Sequence, residues 1–375
     1  MKKVTILVLH LGYGGIENIA TTLANTLSND YEVELLSVYR LYQDPVYKLN
    51  DNIKVRYVSS LKPNKKEMLY YLKKKNFKMF FSGLGQSLKT GYVKYIKTAI
   101  ELSKLDTDVI ISTRVFHNKL VSLFASKSMK KIAWDHNHHN NDKKYIKALV
   151  NSCKSIDNLV TVSNELMLDY KKYLNDKVIF IPNCLDNSVR KLSKLESKNI
   201  ISVGRLSKEK GFDDLLRVYK KISTKYPDWK LNIVGDGTEK TNLLELTEEL
   251  KLTNKVVFHG YQNKEYINDL LSDSSVFVLT SHTESFGLVI IEAMACGVPC
   301  VSYTSAQGVN EIIDNNENGY LIENRNQDEM IEKISLLIED EKLRKKMGKN
   351  AKEKSKNYDS EVILEKWKKI INKRK

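Results

Sequence analysis

Two glutamates lie eight positions apart in the segment T-E-S-F-G-L-V-I-I-E, and the flanking residues predict the position of each. The apolar run Val276–Leu279 before them predicts a buried strand, and the residues from Leu288 to Ala295 predict a helix. Glu284 is therefore expected in the loop at the carboxyl end of a strand. Glu292 is expected about two turns into the helix that follows. The helix N-terminus would then lie between two carboxylates.

The backbone between the two glutamates predicts an anion site. N–H groups in the first turn of a helix have no partner within the helix and attract negative charge. Here such groups are offered by Ser285, Phe286, Gly287 and Leu288. One carboxylate can face a sugar hydroxyl and the other a ribose, with a diphosphate between them. This arrangement favours a site for a sugar nucleotide.

A second loop, upstream in the sequence, supplies positive charge. Its residues S-V-G-R-L-S-K-E-K-G overlap a predicted strand, Ile200–Val203, and lead into a predicted helix from Phe212. Arg205 can hold phosphate oxygens through its planar fork of donors, and Lys210 can add a compact positive charge. Both cations are therefore candidates for binding a diphosphate.

The two loops together resemble the retaining glycosyltransferases of family 4, which have the GT-B fold. That family carries a G-R-x-x-x-x-K-G loop and an E-x7-E pair, and both occur here in the family's order. The resemblance implies that Arg205 and Lys210 hold the donor diphosphate. It also implies that Glu284 contacts the donor sugar, that Glu292 binds the ribose, and that no metal takes part. The alternative is a set of surface salt bridges around a structural turn.

Further segments extend the resemblance over nearly the whole chain. These are Gly14-Gly15-Ile16-Glu17, Val162-Ser163, Ile181-Pro182-Asn183, Gly235-Asp236-Gly237 and Ala295-Cys296-Gly297-Val298-Pro299. In the family the first glycine loop meets the donor phosphate, so Gly14 and Gly15 are candidate donor contacts. The alternative for this loop is a tight turn between a strand and a helix. Tyr261 is a candidate contact of the nucleotide base.

Three histidines occur in the segment W-D-H-N-H-H, which begins at Trp134 and follows a predicted strand. No acidic or cysteine residue at ligand spacing supports a zinc site there. The family often has a histidine at this point, near the donor sugar, and His136 matches best, with His138 as the alternative. His136, Arg205, Lys210 and Glu284 are therefore the candidate catalytic residues. The D-x-D at Asp106–Asp108 precedes a predicted strand, and we interpret it as a strand-entry turn.

Short apolar runs alternate with helical patterns, which predicts parallel sheets with helices on both faces. The predicted fold is α/β and GT-B, with two Rossmann-like, doubly wound domains that face each other across a cleft. Residues 1–187 form the acceptor-side domain, residues 188–357 the donor-binding domain, and a helix over 358–375 packs back on the first. The predicted strands are Val4–Leu9, Glu32–Val38, Val55–Val58, Val109–Ser112, Lys131–Trp134, Leu159–Val162, Val178–Ile181, Ile200–Val203, Lys230–Val234, Val256–His259, Val276–Leu279 and Pro299–Tyr303.

Composition limits the class of protein. A length of 375 residues favours two domains with separate cores. No apolar run reaches the eighteen or so residues that cross a bilayer. The first apolar stretch is short and predicts a strand rather than a signal peptide. The 4 cysteines show no zinc spacing and fit a reducing cytosol.

Positive charge is concentrated in the N-terminal half. Residues 1–190 contain 30 Lys and Arg against 17 Asp and Glu, a net charge of +13, whereas residues 191–375 contain 31 against 29, a net charge of +2. The stretch Lys62–Lys97 has ten lysines, one acid and seven aromatic residues. Such a stretch favours docking on an anionic membrane surface, with a solvated helix face as the alternative. No nucleic-acid motif accompanies the charge, so no nucleic acid partner is expected.

The predicted function is transfer of a sugar, with retention, from a nucleotide diphosphate donor and without a cofactor. A UDP-sugar is favoured among such donors, with GDP-mannose as the alternative. The basic N-terminal half favours an undecaprenyl-linked or other membrane glycan as acceptor, in capsule or exopolysaccharide synthesis in the bacterial cytoplasm at the inner membrane face. A sugar-nucleotide epimerase or hydrolase on the same fold is the competing hypothesis, and a non-catalytic scaffold is a weaker one.

Overall fold

The structure, a computed structural model, describes residues 1–186 and 188–373, without the side chains of residues 65–67 and 69. It divides into two compact units. The N-terminal unit comprises Met1–Thr161, Leu166–Cys184 and the residues from Leu364 onward, and the C-terminal unit comprises Val162–Glu165 and Leu185–Ile363. Residue 187, where the first domain is predicted to end, and residues 374 and 375 of the predicted last helix lie outside the description.

The N-terminal unit contains a sheet of seven parallel strands in the order β3-β2-β1-β4-β5-β6-β7. The order reverses direction beside β1, which defines a doubly wound sheet. The strands are β1 (Lys3–Val8), β2 (Glu32–Tyr39), β3 (Lys54–Ser59), β4 (Val109–Ser112), β5 (Lys130–Asp135), β6 (Asn158–Thr161) and β7 (Val178–Phe180).

Helices connect these strands. A π-helical turn, Val93–Lys97, joins the third helix to the fourth, and the seventh belongs to this unit from Leu166 on. The helices are α1 (Gly15–Leu27), α2 (Lys65–Lys73), α3 (Phe77–Tyr92), α4 (Thr98–Ser103), α5 (Val115–Phe124), α6 (Lys143–Cys153) and α7 (Asn164–Leu174).

The C-terminal unit repeats the architecture with six parallel strands in the order β10-β9-β8-β11-β12-β13. Its strands are β8 (Asn199–Val203), β9 (Lys230–Val234), β10 (Val256–Phe258), β11 (Val276–Leu279), β12 (Cys300–Tyr303) and β13 (Gly319–Ile322). The remaining helices are α8 (Phe212–Lys225), α9 (Lys240–Glu249), α10 (Lys264–Ser272), α11 (Leu288–Ala295), α12 (Gln327–Glu339), α13 (Glu341–Ser355) and α14 (Ser360–Asn372).

Every predicted strand is confirmed, with ends that agree to within one residue. The one strand that the sequence did not predict is β13, which is short and follows a segment rich in asparagine. Its place is fixed by pairing with β12, where Cys300 lies opposite Gly319 and Tyr303 opposite Ile322. Such pairing depends on a distant part of the chain, which local periodicity does not reveal.

Each unit buries its own apolar core. In the C-terminal unit, side chains of α8 such as Leu216 and Tyr219 pack on Leu231 and Ile233 of β9. In the N-terminal unit, Leu7 and Ile110 from the sheet share a core with Leu120 of α5. Because the strands and helices bury these apolar side chains, the polar groups of the candidate site lie in the loops at the carboxyl ends of the strands.

Helix α14 adds a buried tryptophan to the N-terminal unit. Trp367 is fully buried, and its ring meets the Trp134 ring edge to face at a centroid distance of 5.1 Å. Polar contacts hold the same helix, since Lys2 donates to the carbonyl of Ile371 and Lys368 pairs with Asp30 at 3.1 Å. From Leu364 on, the last helix of the chain is therefore an integral part of the first unit.

No helix in the described part of the chain combines the length and the apolar character that a membrane span requires.

We predict that Trp367→Ala destabilises the protein by about 3–5 kcal/mol, because it removes a large buried ring and leaves a cavity. Lys369→Ala, at an exposed position on the same helix, should change the free energy of unfolding by less than about 0.5 kcal/mol. Urea unfolding followed by circular dichroism measures both. Equal stability of the two variants would contradict the packing of α14.

Candidate active site

The loop after β8 contacts the loop after β11 through a glycine. Gly211 has a φ of 61°, in the left-handed region, and begins α8. A Cβ at this position would lie 2.3 Å from the carbonyl oxygen of Thr280, and the Thr280 hydroxyl donates to the carbonyl of Gly211 at 2.8 Å. Only glycine satisfies both the backbone angle and the close approach. The glycine of the K-G pair in the motif is therefore fixed by sterics.

Lys210 and Glu284 form an ion pair across these two loops. The Lys210 Nζ lies 2.5 Å from Glu284 Oε1, and the Ser281 hydroxyl donates to the same oxygen at 2.9 Å. Only 23% of the lysine side chain and 13% of the glutamate side chain are exposed. Two predicted site residues thus come together in a half-buried pair. An anionic ligand here could compete with Glu284 for the lysine.

Arg205 lies on the same loop as Lys210 but is exposed. Within the described part of the chain, its guanidinium takes part in no hydrogen bond or ion pair. Its five N–H donors are therefore available to phosphate oxygens, which they match in a bidentate geometry.

The N-terminus of α11 is shaped by two more glycines. Gly287 has a φ of 98°, and a Cβ there would lie 2.8 Å from a methyl group of Val309. Gly308 donates its N–H to the carbonyl of Glu284 at 2.9 Å, and a Cβ on Gly308 would lie 2.4 Å from the Phe286 nitrogen. Among the described residues, no side chain caps this helix. Its first turn therefore keeps the character of an anion site.

Among the residues predicted to offer backbone N–H groups, Phe286 also has a structural role through its side chain. The Phe286 ring is buried and meets the ring of Tyr358 edge to face at 5.7 Å. The predicted anion loop is thus anchored by an aromatic side chain, while Leu288 begins α11. Ser285, between Glu284 and Phe286, lies at the same turn.

Glu292 lies about one turn into α11, rather than the predicted two, because the helix begins at Leu288. It is close to a cluster of charges. Burial raises the pKa of its carboxyl, and Lys264 and Arg190 oppose that shift. Both cations bind Asp186 instead, with Arg190 Nη2 2.5 Å from Asp186 Oδ1. Burial also works to raise the pKa of Asp186, but Lys264 and then Arg190 outweigh it and lower that pKa to about 2.

The Glu292 carboxylate makes no hydrogen bond or ion pair within the described ranges. A desolvated carboxylate with unused acceptors is suited to accept hydrogen bonds from a pair of hydroxyl groups. A ribose provides such a pair. The cluster of Asp186, Arg190 and Lys264 was not predicted, because Lys264 lies 78 positions from Asp186 in the sequence.

Arg325 is the main site residue that the sequence did not reveal. Its Nη1 donates to the carbonyl of Ser281 and the hydroxyl of Ser305, both at 3.0 Å. Its Nη2 donates to the carbonyl of Thr280 at 3.0 Å and to Asp214 on α8. Arg325 lies in the short turn that follows β13. Because the sequence did not predict β13, it did not indicate that Arg325 lies in a loop of the site. Unlike Arg205, this guanidinium uses both of its terminal nitrogens to hold the loops.

Tyr261 is exposed on the loop between β10 and α10, directly after Gly260, which has a φ of 67°. The helix that follows carries Lys264 to Asp186. The role of Tyr261 at the base stays a prediction.

In the N-terminal unit, the first glycine loop lies over a buried ion pair. A Cβ on Gly14 would lie 2.1 Å from Glu17 Oε2, whereas Gly15 has open space around its α-carbon. Glu17 is buried and pairs with Arg114 at 2.6 Å. Burial lowers the pKa of the nearby His10, while Glu17 opposes that shift. Glycine at position 14 leaves room for the carboxylate of Glu17. A contact with donor phosphate stays a prediction for both glycines.

His136 is buried, and its ring packs against Trp134 with centroids 4.2 Å apart. Neither ring nitrogen has a hydrogen-bond partner among the described residues. Burial, and then Arg114, lower its pKa to about 3, so the imidazole is neutral at physiological pH. His138 differs in that its Nδ1 lies 2.8 Å from Asn140 Oδ1. Both remain candidates for the contact with donor sugar.

Two further predictions concern metals. Asp108 accepts a hydrogen bond from the backbone of Lys3 at 2.8 Å, and Asp106 pairs with the Lys3 ammonium at 2.6 Å. These contacts at the amino end of β4 confirm that the D-x-D is a strand-entry turn. Residues 1–186 and 188–373 contain no group of three His, Cys, Asp or Glu arranged to hold a metal ion.

Comparison with known proteins supports one class of enzyme. The family model described as "Glycosyl transferases group 1" matches residues 185–354. An uncharacterized glycosyltransferase of Haemophilus influenzae is 31% identical over 382 residues, which span 99% of this chain and 100% of the relative. The N-acetylgalactosamine-N,N'-diacetylbacillosaminyl-diphospho-undecaprenol 4-alpha-N-acetylgalactosaminyltransferase of Campylobacter jejuni is 28% identical over 97% of each chain.

Among solved structures, Anabaena HepE in complex with UDP and glucose aligns with a TM-score of 0.78 at 18% identity, over 100% of both chains. With one doubly wound parallel sheet in each unit, the protein has the GT-B fold. The chain belongs to the group 1 glycosyl transferases, since its identity to the Haemophilus glycosyltransferase extends over nearly the full length of both proteins.

Asp135, next to His136, gives a prediction for stability. Burial raises the pKa of its carboxyl from an ordinary 3.8 to about 6, although the Tyr145 hydroxyl donates to it at 2.7 Å. Because the folded-state pKa is the higher one, its contribution to stability is present below pH 3.8 and is lost as the pH rises through about 6. The loss amounts to ~3 kcal/mol.

Asp135→Asn, which keeps an acceptor for Tyr145, should lack this loss. Relative to the natural protein, we expect the variant to gain ~3 kcal/mol in free energy of unfolding between pH 4 and pH 8. Urea unfolding of both proteins across that range measures the difference, in which all other titrating groups cancel. Parallel pH profiles would show that Asp135 ionises normally in the folded state.

Proposed function

We propose that this glycosyltransferase is a retaining enzyme of family 4 that transfers a sugar from a nucleotide diphosphate donor. The observation that carries the proposal is the arrangement around the Lys210–Glu284 ion pair. An exposed Arg205 lies on the loop of the lysine, and the uncapped N-terminus of α11 follows the glutamate. Positive charge, backbone donors and a carboxylate thus adjoin one another at the carboxyl ends of β8 and β11.

The chemistry requires stabilisation of the leaving group. In the transfer, the bond between the anomeric carbon and the diphosphate oxygen breaks, and a bond from that carbon to an acceptor hydroxyl oxygen forms. Negative charge grows on the diphosphate, where Arg205, Lys210 and the N–H groups of the helix would stabilise it. The acceptor proton would pass to the leaving phosphate oxygen, as the resemblance to the family implies, and Glu284 would hold the donor sugar.

For the nucleotide, we propose uridine diphosphate. The Anabaena structure that shares this fold holds UDP and glucose. Glu292 would accept hydrogen bonds from the ribose, for which its unused acceptors are suited, and Tyr261 would contact the base. GDP-mannose is the alternative donor. The further assignments of Gly14, Gly15 and His136 to the donor are carried over from the resemblance, and no metal or cofactor is assigned a role.

For the acceptor, we propose a lipid-linked glycan such as an undecaprenyl diphosphate saccharide. The Campylobacter relative is named for a diphospho-undecaprenol acceptor, and its similarity covers both units of this chain. The enzyme would then act at the cytoplasmic face of the bacterial inner membrane, in the synthesis of capsule or another cell-surface polysaccharide.

We predict that Arg205→Ala and Lys210→Ala each lower the rate of sugar transfer by about 100-fold or more, because each removes a cation that stabilises the leaving group. Lys221→Ala removes an exposed cation from α8 and should keep full activity. Transfer of radiolabelled sugar to a lipid-linked acceptor measures the effect. Normal turnover by either folded variant would refute the proposed roles, and donor consumption without acceptor would favour the hydrolase or epimerase.

We also predict that a single nucleotide diphosphate, UDP in preference to GDP or ADP, raises the melting temperature of the protein by mass action. Glu292→Ala should lose most of this shift, since it removes the acceptor for the ribose hydroxyls. Glu248→Ala, at an exposed position on α9, should keep it. A thermal-shift titration measures all three proteins. Equal shifts with and without Glu292 would exclude it from the nucleotide site.

A further inference from the structure

Helix α3 exposes a stripe of apolar side chains. Phe77, Phe81, Leu88 and Tyr92 are exposed by 55%, 63%, 72% and 54%. Their spacing of four, seven and four residues puts them on one face of a helix. We call these four residues the α3 stripe. Large apolar side chains clustered on a surface in this way indicate a binding face rather than chance exposure.

The opposite face of α3 is fixed to the protein. The Gly83 carbonyl accepts a hydrogen bond from the Asn64 side chain at 2.9 Å, and the Gln86 side chain donates to the Lys62 carbonyl at 2.9 Å. One turn further, the Tyr39 hydroxyl donates to the carbonyl of Thr90 at 2.7 Å. These contacts orient the helix, so the α3 stripe points away from the N-terminal unit to which α3 is attached.

Positive charge lies next to the α3 stripe. Lys78 and Lys89 are exposed and directly follow Phe77 and Leu88 in the sequence, and α3 contains no acidic residue. Three more exposed lysines precede the helix, with Lys73 at the end of α2 and Lys74 and Lys75 in the turn that follows. Apolar side chains flanked by lysines without compensating acids are complementary to an anionic lipid surface. There, the rings enter the boundary between headgroups and acyl chains while the ammonium groups meet phosphates.

Two other occupants fit these observations less well. A second copy of the chain would bring the same lysine-rich faces together, and like charges would repel. A nucleic acid would satisfy the lysines but would leave aliphatic Leu88 without a partner, since bases stack on aromatic rings. A bilayer satisfies both the charges and the apolar side chains.

We propose that the α3 stripe is a membrane-binding face that lies in the plane of a bilayer containing anionic phospholipid. At sixteen residues, α3 is about 24 Å long, so it lies along the surface and does not span the bilayer. Exposed Tyr95 and Ile96, in the π-helical turn that follows, extend the apolar surface by one further turn. This inference does not depend on the donor site or on the identity of the acceptor.

The test is binding of the full chain to vesicles, measured by sedimentation. One set contains equal parts of phosphatidylglycerol and phosphatidylcholine, and the other contains phosphatidylcholine alone. We expect the natural protein to prefer the anionic vesicles, with binding that weakens as salt increases. The double variant Phe81→Ser, Leu88→Ser should lower the partition coefficient by about 10-fold or more. Lys78→Gln with Lys89→Gln should reduce the preference for anionic lipid.

The matched control is Leu123→Ser with Leu168→Ser, which removes two exposed apolar side chains from α5 and α7 of the same unit. This control should bind vesicles as the natural protein does. All variants replace exposed residues, so each should keep its melting temperature and its response to nucleotide. A lost nucleotide response in all proteins, with vesicle binding intact, would count against the proposed function alone.

Three outcomes would overturn the inference. These are equal binding of the natural protein to both vesicle types, undiminished binding of the stripe variant, or equal loss in stripe and control variants. A concentration-dependent dimer, detected by light scattering and abolished only in the stripe variant, would instead assign the face to self-association.

Discussion

The ion pair between Lys210 and Glu284 joins two loops whose residues are 74 positions apart in the sequence. A half-buried ammonium and carboxylate each lose hydration, and their contact compensates for much of that loss. The surrounding residues enforce the contact. Gly211 allows the lysine loop to approach Thr280, and Arg325 holds Thr280 and Ser281 by their carbonyls. The shape of the candidate site depends on this closely packed junction.

The charges around this junction fall into two groups. Arg325 binds Asp214 and other protein acceptors through both terminal nitrogens, while Lys264 and Arg190 are bound to Asp186. These cations stabilise the loops of the candidate site through their ion pairs. By contrast, Arg205 is exposed, and the Glu292 carboxylate, whose pKa is raised by burial, has acceptors that no residue described by the structure uses. Groups held without internal partners are the ones that a ligand can bind, which is why we assign them to diphosphate and ribose.

In the N-terminal unit, polar side chains are buried next to Trp134, and apolar side chains are exposed on α3. Trp134, which packs on Trp367, also contacts His136, so the last helix of the chain supports the residue beside the candidate histidine. Burial keeps His136 neutral and makes Asp135 a weak acid. At the surface, α3 is attached to the unit through one face. Its other face is apolar and is not buried within this unit.

The sequence by itself determined twelve of the thirteen described strands, the loops that follow them and the residue types of the candidate site, because alternation, turn residues and helix starts are local properties. It therefore located Arg205, Lys210, Glu284 and Glu292. The tertiary structure alone decided that Lys210 meets Glu284, that β13 pairs with β12, and that Arg325 reaches Asp214, 111 positions away. It also decided the pKa shifts of Asp135 and Glu292. Such contacts and shifts arise from burial and from charges brought together by folding, which the local pattern of residues does not encode.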